Sequence, residues 1–171
     1  MSLIYVCNLI EMPGHAEALG VSHLVSLVAP NEQPPTPAPV AGDRHHRVEI
    51  HDISEPLDGH ILPAVEHVSG LIDFVRAWPH DEAPILIHCV AGISRSMAAA
   101  LITLAIKAPA RELDAARHLR SAAPHAYPNR RMIAVADQVL GCDGRLIEAR
   151  EAMGPADLLP LAPLVRLPLL R

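Results

Sequence analysis

Residues 88–96 read HCVAGISRS. A histidine stands next to Cys89, Arg95 follows six positions after the cysteine, Ser96 comes one later, and Gly92 lies between. These are the parts of a nucleophilic site for an anion. A cysteine thiolate attacks phosphorus or carbonyl centres. A planar guanidinium grips phosphate oxygens as a fork. A hydroxyl at Ser96 can donate to sulfur when sulfur leaves. His88 is suited to orienting the cysteine loop through hydrogen bonds rather than to attack.

The chemistry needs a scaffold, and the flanking residues predict one. Residues 85–88, ILIH, are apolar without alternation, as in a central strand covered on both faces. Residues 94–107 read as a helix that Pro109 stops. The segment between them therefore lies at the carboxyl end of a strand and the amino end of a helix, where open α/β sheets bind ligands. Helix-start N–H groups and the positive end of the helix dipole make that place an anion cradle. The chain is a tenth proline, yet residues 88–100 contain none, so every loop N–H is available. Val90, Ala91, Gly92, Ile93, Ser94 and Arg95 are the expected phosphate-binding set.

Hydrolysis of a phosphate ester also needs a proton for the leaving oxygen. Asp81 and Glu82 precede the 85–88 strand and so fall at its far end. Asp52 follows an expected parallel strand at 46–50, which puts it at the same edge as Cys89. Glu55 and Asp58 share its loop and are weaker candidates for the acid.

Further strands are predicted at 3–9 and 23–28, with a short helix over 15–22. A helix over 60–78 carries a stripe of Ile61, Val65, Val68, Ile72 and Val75 at spacings of three and four. Helices follow at 110–123, at 129–141 with Gly141 at its end, and at 144–153. The fold class expected is α/β, a central mostly parallel sheet of about four to five strands with helices on both faces. Residues 30–39 hold five prolines and predict a surface loop. Residues 155–171 hold seven leucines and four prolines. The reading is a catalytic domain over 1–153 followed by a Pro/Leu-rich tail over 154–171, packed on its own domain or on a second copy as a homodimer contact.

Bulk properties narrow the partners. Half of the 171 residues are apolar and only four are aromatic, so the core is aliphatic. A net charge of −5 attracts neither nucleic acid nor anionic lipid at long range. There is no apolar run of about 18 residues for a membrane span. The first ten residues lack a basic start and an A-x-A site, so no signal peptide is expected. Three cysteines, Cys7, Cys89 and Cys142, are widely spaced and fit no disulfide framework; a reducing cytosol is the expected setting. Cys7 and Cys142 are the candidates for a resolving thiol for oxidised Cys89, and spacing alone places neither. His45, His46 and His51 lack the spacing of a zinc site, and no metal is expected.

HCVAGISRS matches the H-C-x5-R-S/T signature and so resembles the cysteine-dependent protein tyrosine phosphatases. Its Ala-Gly and Ser-Arg-Ser form is similar to the dual-specificity branch. In the same order, residues 20–27, 48–52 and 126–140 resemble that branch's second-strand region, the segment ending in its acid, and its Pro-Asn turn with the next helix. The likeness runs from about residue 3 to 140, and the tail has no counterpart in it. The resemblance implies Cys89 as nucleophile, Arg95 as phosphate clamp, Ser96 as sulfur donor, Asp52 as general acid, and no cofactor. It implies a phosphorylated protein or a small phosphate monoester as substrate. Val90 and Ile93 are uncharged where phosphoinositide phosphatases of the superfamily carry basic residues, which points away from an inositide. Two other readings fit a cysteine loop: a phosphate-binding module without turnover, and a sulfurtransferase.

Overall fold

Three apolar runs and the more polar segment His45–Glu49 become parallel neighbours in one sheet. The computed structural model describes residues 3–81 and 83–170, so Glu82 lies outside the described residues. In chain order the elements are β1 (Leu3–Cys7), α1 (Met12–Ala18), β2 (His23–Val28), β3 (His45–Glu49), α2 (Val65–Ala77), β4 (Ile85–His88), α3 (Arg95–Lys107), α4 (Glu112–Ala122), α5 (Arg130–Leu140), α6 (Arg145–Ala152) and β5 (Val165–Pro168). The sheet order is β3-β2-β4-β1-β5. β4 pairs in parallel with both β1 and β2, and β2 with β3. β5 runs antiparallel on the outer edge of β1.

All four residues of β4 are buried, because helices cover both faces. Leu86 points to one face with Leu24, where Met12 and Ala16 of α1 cover it. Ile85 and Ile87 point to the other, against α2, α3 and the remaining helices. With so few aromatic rings, alanines of α3 let that helix lie close on the sheet: Ala98, Ala99 and Ala100 are fully buried. The α/β class and the mostly parallel sheet agree with the sequence reading.

Several boundaries differ for local reasons. The helix expected over 60–78 begins only at Val65. Pro63 disfavours helix in the residue before it, and Ile61 is held in a loop by a reciprocal pair of bonds. Its N–H donates to His51 Nδ1 at 2.8 Å and its carbonyl accepts from His51 N–H at 3.0 Å. The stripe shifts accordingly. Val65 is 48% exposed, and the buried face of α2 is Val68, Leu71, Ile72 and Val75. The first helix starts earlier than expected, at Met12, with Pro13 in its opening turn, where a missing N–H costs nothing. α5 ends as predicted at Gly141, which takes a left-handed φ of 66°. The fifth strand comes from the tail. Its alternation, with Val165 and Leu167 inward, is too short to stand out among leucines and prolines. Pro168 is tolerated because β5 is an edge strand.

Candidate active site

β4 delivers the chain to the carboxyl edge of the sheet, between β1 and β2, and residues 89–94 turn from there into α3. The carbonyl groups of this loop are tied to their surroundings one by one. Cys89 O accepts from His88 Nδ1 at 3.1 Å. Val90 O accepts from Leu9 N at 3.0 Å, Ala91 O from Ala162 N at 2.9 Å, and Ile93 O from Tyr127 N at 2.9 Å. Ser94 O accepts from Ala98 N at 2.9 Å and Asn129 N at 3.2 Å.

A trans peptide sets its C=O and the following N–H in opposite directions. The N–H groups of Val90, Ala91, Gly92, Ser94 and Arg95 therefore point away from those partners, toward the concave side of the loop. One of them, Gly92 N–H, donates to Cys89 Sγ at 3.3 Å. Gly92 makes this curl possible with a φ of +76°. The concavity is thus a ring of donors around a sulfur, the arrangement that binds an anion.

Ser96, at the start of α3, is fully buried with its Oγ 3.1 Å from Cys89 Sγ. Arg95 is 6% exposed. Its Nη1 donates to Ile50 O at 2.9 Å, while its buried Nε has no protein partner. An unpartnered guanidinium N–H in a buried place is costly, and an anion in the loop would satisfy it.

His88 sits at the head of a directed chain. A carbonyl can only accept, so Nδ1 of His88 carries its proton toward Cys89 O. Nε2 must then accept from Ser26 Oγ, at 2.6 Å. Ser26 has spent its one proton and accepts in turn from His45 Nε2 at 2.8 Å. His45 Nδ1 is left to accept from Thr36 Oγ1 at 2.8 Å. Burial pushes the imidazoles of His45 and His88 down to about 4, so both are neutral near pH 7 and the chain keeps its polarity. For His88 the hydrogen bond to Cys89 O opposes that shift, and the Arg95 charge reinforces it.

Asp52 stands across the mouth of the loop. Its Oδ1 accepts from Ser94 Oγ at 2.7 Å and Asn129 Nδ2 at 2.9 Å, which leaves Oδ2 for other business. A cavity of about 560 Å³ joins these groups, lined among others by Asp52, Cys89, Val90, Arg95 and Asn129. Glu55 and Asp58 are exposed and do not line it. Of the residues named from sequence, the 88–96 segment and Asp52 come together in one place, and Glu55 and Asp58 do not. Sequence reasoning did not single out Asn129, Tyr127 or Arg130, nor Leu159 and Pro160 from the tail, which also line the cavity. Asn129 had a legible signal, an Asn directly before an amphipathic run, which is an N-cap preference.

The other two cysteines are buried. Cys7 is the register partner of His88 on β1, and burial, then the Cys89 charge, pushes its thiol far above the ordinary range. Cys142 is pushed up to about 11, chiefly by burial.

Residues 43–135, just over half of the chain, match the family model for protein-tyrosine phosphatase. Three solved structures are similar to this one. DUSP15 has a TM-score of 0.64 and 18% identity, covering 88% of this chain and 89% of that one. Human DUSP28 has a TM-score of 0.60 and 19% identity, with 89% and 90% covered. A human tyrosine phosphatase-like serine/threonine/tyrosine-interacting protein has a TM-score of 0.61 and 15% identity, with 82% and 92% covered. At such identities the likeness is one of fold. No curated protein sequence matches the chain.

Proposed function

This chain belongs to the protein-tyrosine phosphatase family, and we propose that it hydrolyses phosphate monoesters, on tyrosine, serine or threonine of proteins, through a phosphorylated Cys89. The observation that carries this reading is the outward tying of five loop carbonyls around a thiol, which leaves the N–H group that follows each of them on the concave side of the loop.

The non-bridging oxygens of the phosphate accept from those N–H groups and from Arg95. Cys89 attacks phosphorus as the thiolate. The S–P bond forms, the P–O ester bond breaks, and Asp52 gives its proton to the leaving oxygen. In the second step water attacks phosphorus and Asp52 takes one of its protons. The S–P bond breaks, and Ser96 donates a hydrogen bond to the departing thiolate. The products are the free hydroxyl and inorganic phosphate. Ser94 and Asn129 steady one oxygen of Asp52 and leave the other to carry the proton.

Hydrolysis of p-nitrophenyl phosphate in EDTA tests the reading. Turnover by the unaltered chain, abolished in Cys89→Ser and lowered about a hundredfold in Asp52→Ala, is expected. A chain that binds vanadate but turns nothing over is instead a phosphate-binding module. Turnover insensitive to position 52 takes the acid role from Asp52.

A further inference from the structure

The segment between α6 and β5 is pinned at both ends beside the cavity. Before it, Asp157 N donates to Pro124 O at 3.0 Å, and Arg120 bonds the carbonyls of Met153 and Gly154. After it, Ala162 is clamped between the Cys89 loop and the residue that follows β1. Its N–H donates to Ala91 O, and its carbonyl accepts from buried Asn8 Nδ2 at 3.0 Å. β5 then locks onto β1. The residues between the pins, 158–161, cross the rim, and Leu159 and Pro160 form part of the cavity wall.

This wall is apolar and half open to solvent. Leu158 is 97% exposed and Leu159 41%, and Leu159 shares the cavity lining with Val90, which is itself exposed. Tyr127, also exposed, is a further part of the lining. Besides Asp52, the charged groups of the lining are Arg95, deep in the loop, and Arg130, which lies 3.9 Å from Glu151. A cavity of about 560 Å³ is sized for a drug-sized organic group as well as a phosphate. The phosphate end is fixed by the loop, so what meets Leu159 at the rim is the part of the substrate that surrounds the phosphorylated side chain.

We propose that the strap 158–161 is the specificity element of this site, and that it selects phosphorylated peptide segments with apolar side chains flanking the phosphorylated residue. This rests on the phosphomonoester reading of the Cys89 loop. An apolar flank buries surface against Leu159 and Val90, whereas an acidic flank loses water against them, and the exposed cation of the lining, Arg130, already stands 3.9 Å from Glu151.

The test uses two phosphotyrosine peptides, identical except for Leu or Glu on both sides of the phosphotyrosine. Affinities are measured by fluorescence anisotropy on the full chain carrying Cys89→Ser, and kcat/KM on the chain with Cys89 intact. The Leu peptide is expected to be favoured by about tenfold in both. Leu159→Ser should bring that ratio near one, while Leu159→Met preserves it. The ratio is independent of the folded fraction, so a general loss of fold does not mimic the result. No preference for the Leu peptide, a preference untouched by Leu159→Ser, or no binding of either peptide overturns the proposal. Preferential binding without any hydrolysis by the intact chain leaves the strap's role standing and removes the phosphatase reading instead.

Discussion

Asn129 and Asp52, 77 residues apart in the chain, meet at 2.9 Å through an amide-to-carboxylate hydrogen bond. The same amide group also reaches Ile53 O at 3.2 Å, and Asn129 Oδ1 caps α5 by accepting from Met132 N at 3.0 Å. One side chain therefore fixes the acid's loop to the helix that borders the site.

Asn129→Ala should act twice. Loss of the N-cap costs about 1 kcal/mol of stability, read as a lower melting temperature. Release of Asp52 should lower kcat by about tenfold, a misplacement effect on proton transfer, with the larger loss on substrates whose leaving group is a poor one. Equal losses on good and poor leaving groups would deny the link to the acid.

Gly92 tolerates no side chain. A Cβ there would lie 2.9 Å from the backbone C and O of Cys7 and 3.1 Å from Ala162 Cβ, at a φ of +76°. Gly92→Ala is expected to cost more than about 2 kcal/mol from conformation and overlap together. It should abolish phosphate binding even where the chain remains folded. Wild-type vanadate affinity in Gly92→Ala would contradict the loop geometry.

The buried histidines set an acid limit on stability. His45 and His88 titrate near 4 in the folded chain, chiefly through burial, against about 6.5 for an imidazole in an unfolded one. Between those values the unfolded chain binds more protons, so stability rises with pH across the window and is lost as pH falls through it. His23, His46 and His125 are shifted in the same direction, with burial the leading cause of each. Urea unfolding should give a falling midpoint from pH 7 to pH 4.5. Ser26→Ala strands one buried nitrogen on each of His45 and His88, which predicts a loss of about 1–3 kcal/mol at pH 7. A flat midpoint across the window would count against the neutral chain.

Much of the site was legible because its parts are local. Cys89, Gly92, Arg95 and Ser96 lie within eight residues, and one strand-to-helix turn suffices to gather them. Asp52 was legible at one remove, since parallel strands put their carboxyl ends on a common edge. Asn129 was legible as a helix cap but not as a partner of Asp52, and Tyr127 and Leu159 were not legible, because they arrive through helix packing and a tail whose course no periodicity encodes. Val65 was misplaced for a related reason: the stripe's spacing was right, but Pro63 and His51 decide where the helix starts. The strand Val165–Pro168 escaped notice because only three of its residues alternate before Pro168.

The central claim is that Cys89 carries the phosphoryl group. The direct measurement is intact-protein mass spectrometry of acid-quenched enzyme during turnover of p-nitrophenyl phosphate, with the modified residue located by peptide mapping. A mass gain of one phosphoryl group on Cys89 is predicted. It should accumulate further in Ser96→Ala, which slows departure of the thiolate, and be absent in Cys89→Ser. Turnover with no phosphorylated cysteine in either the unaltered chain or Ser96→Ala, or with phosphate on another residue, would contradict the account.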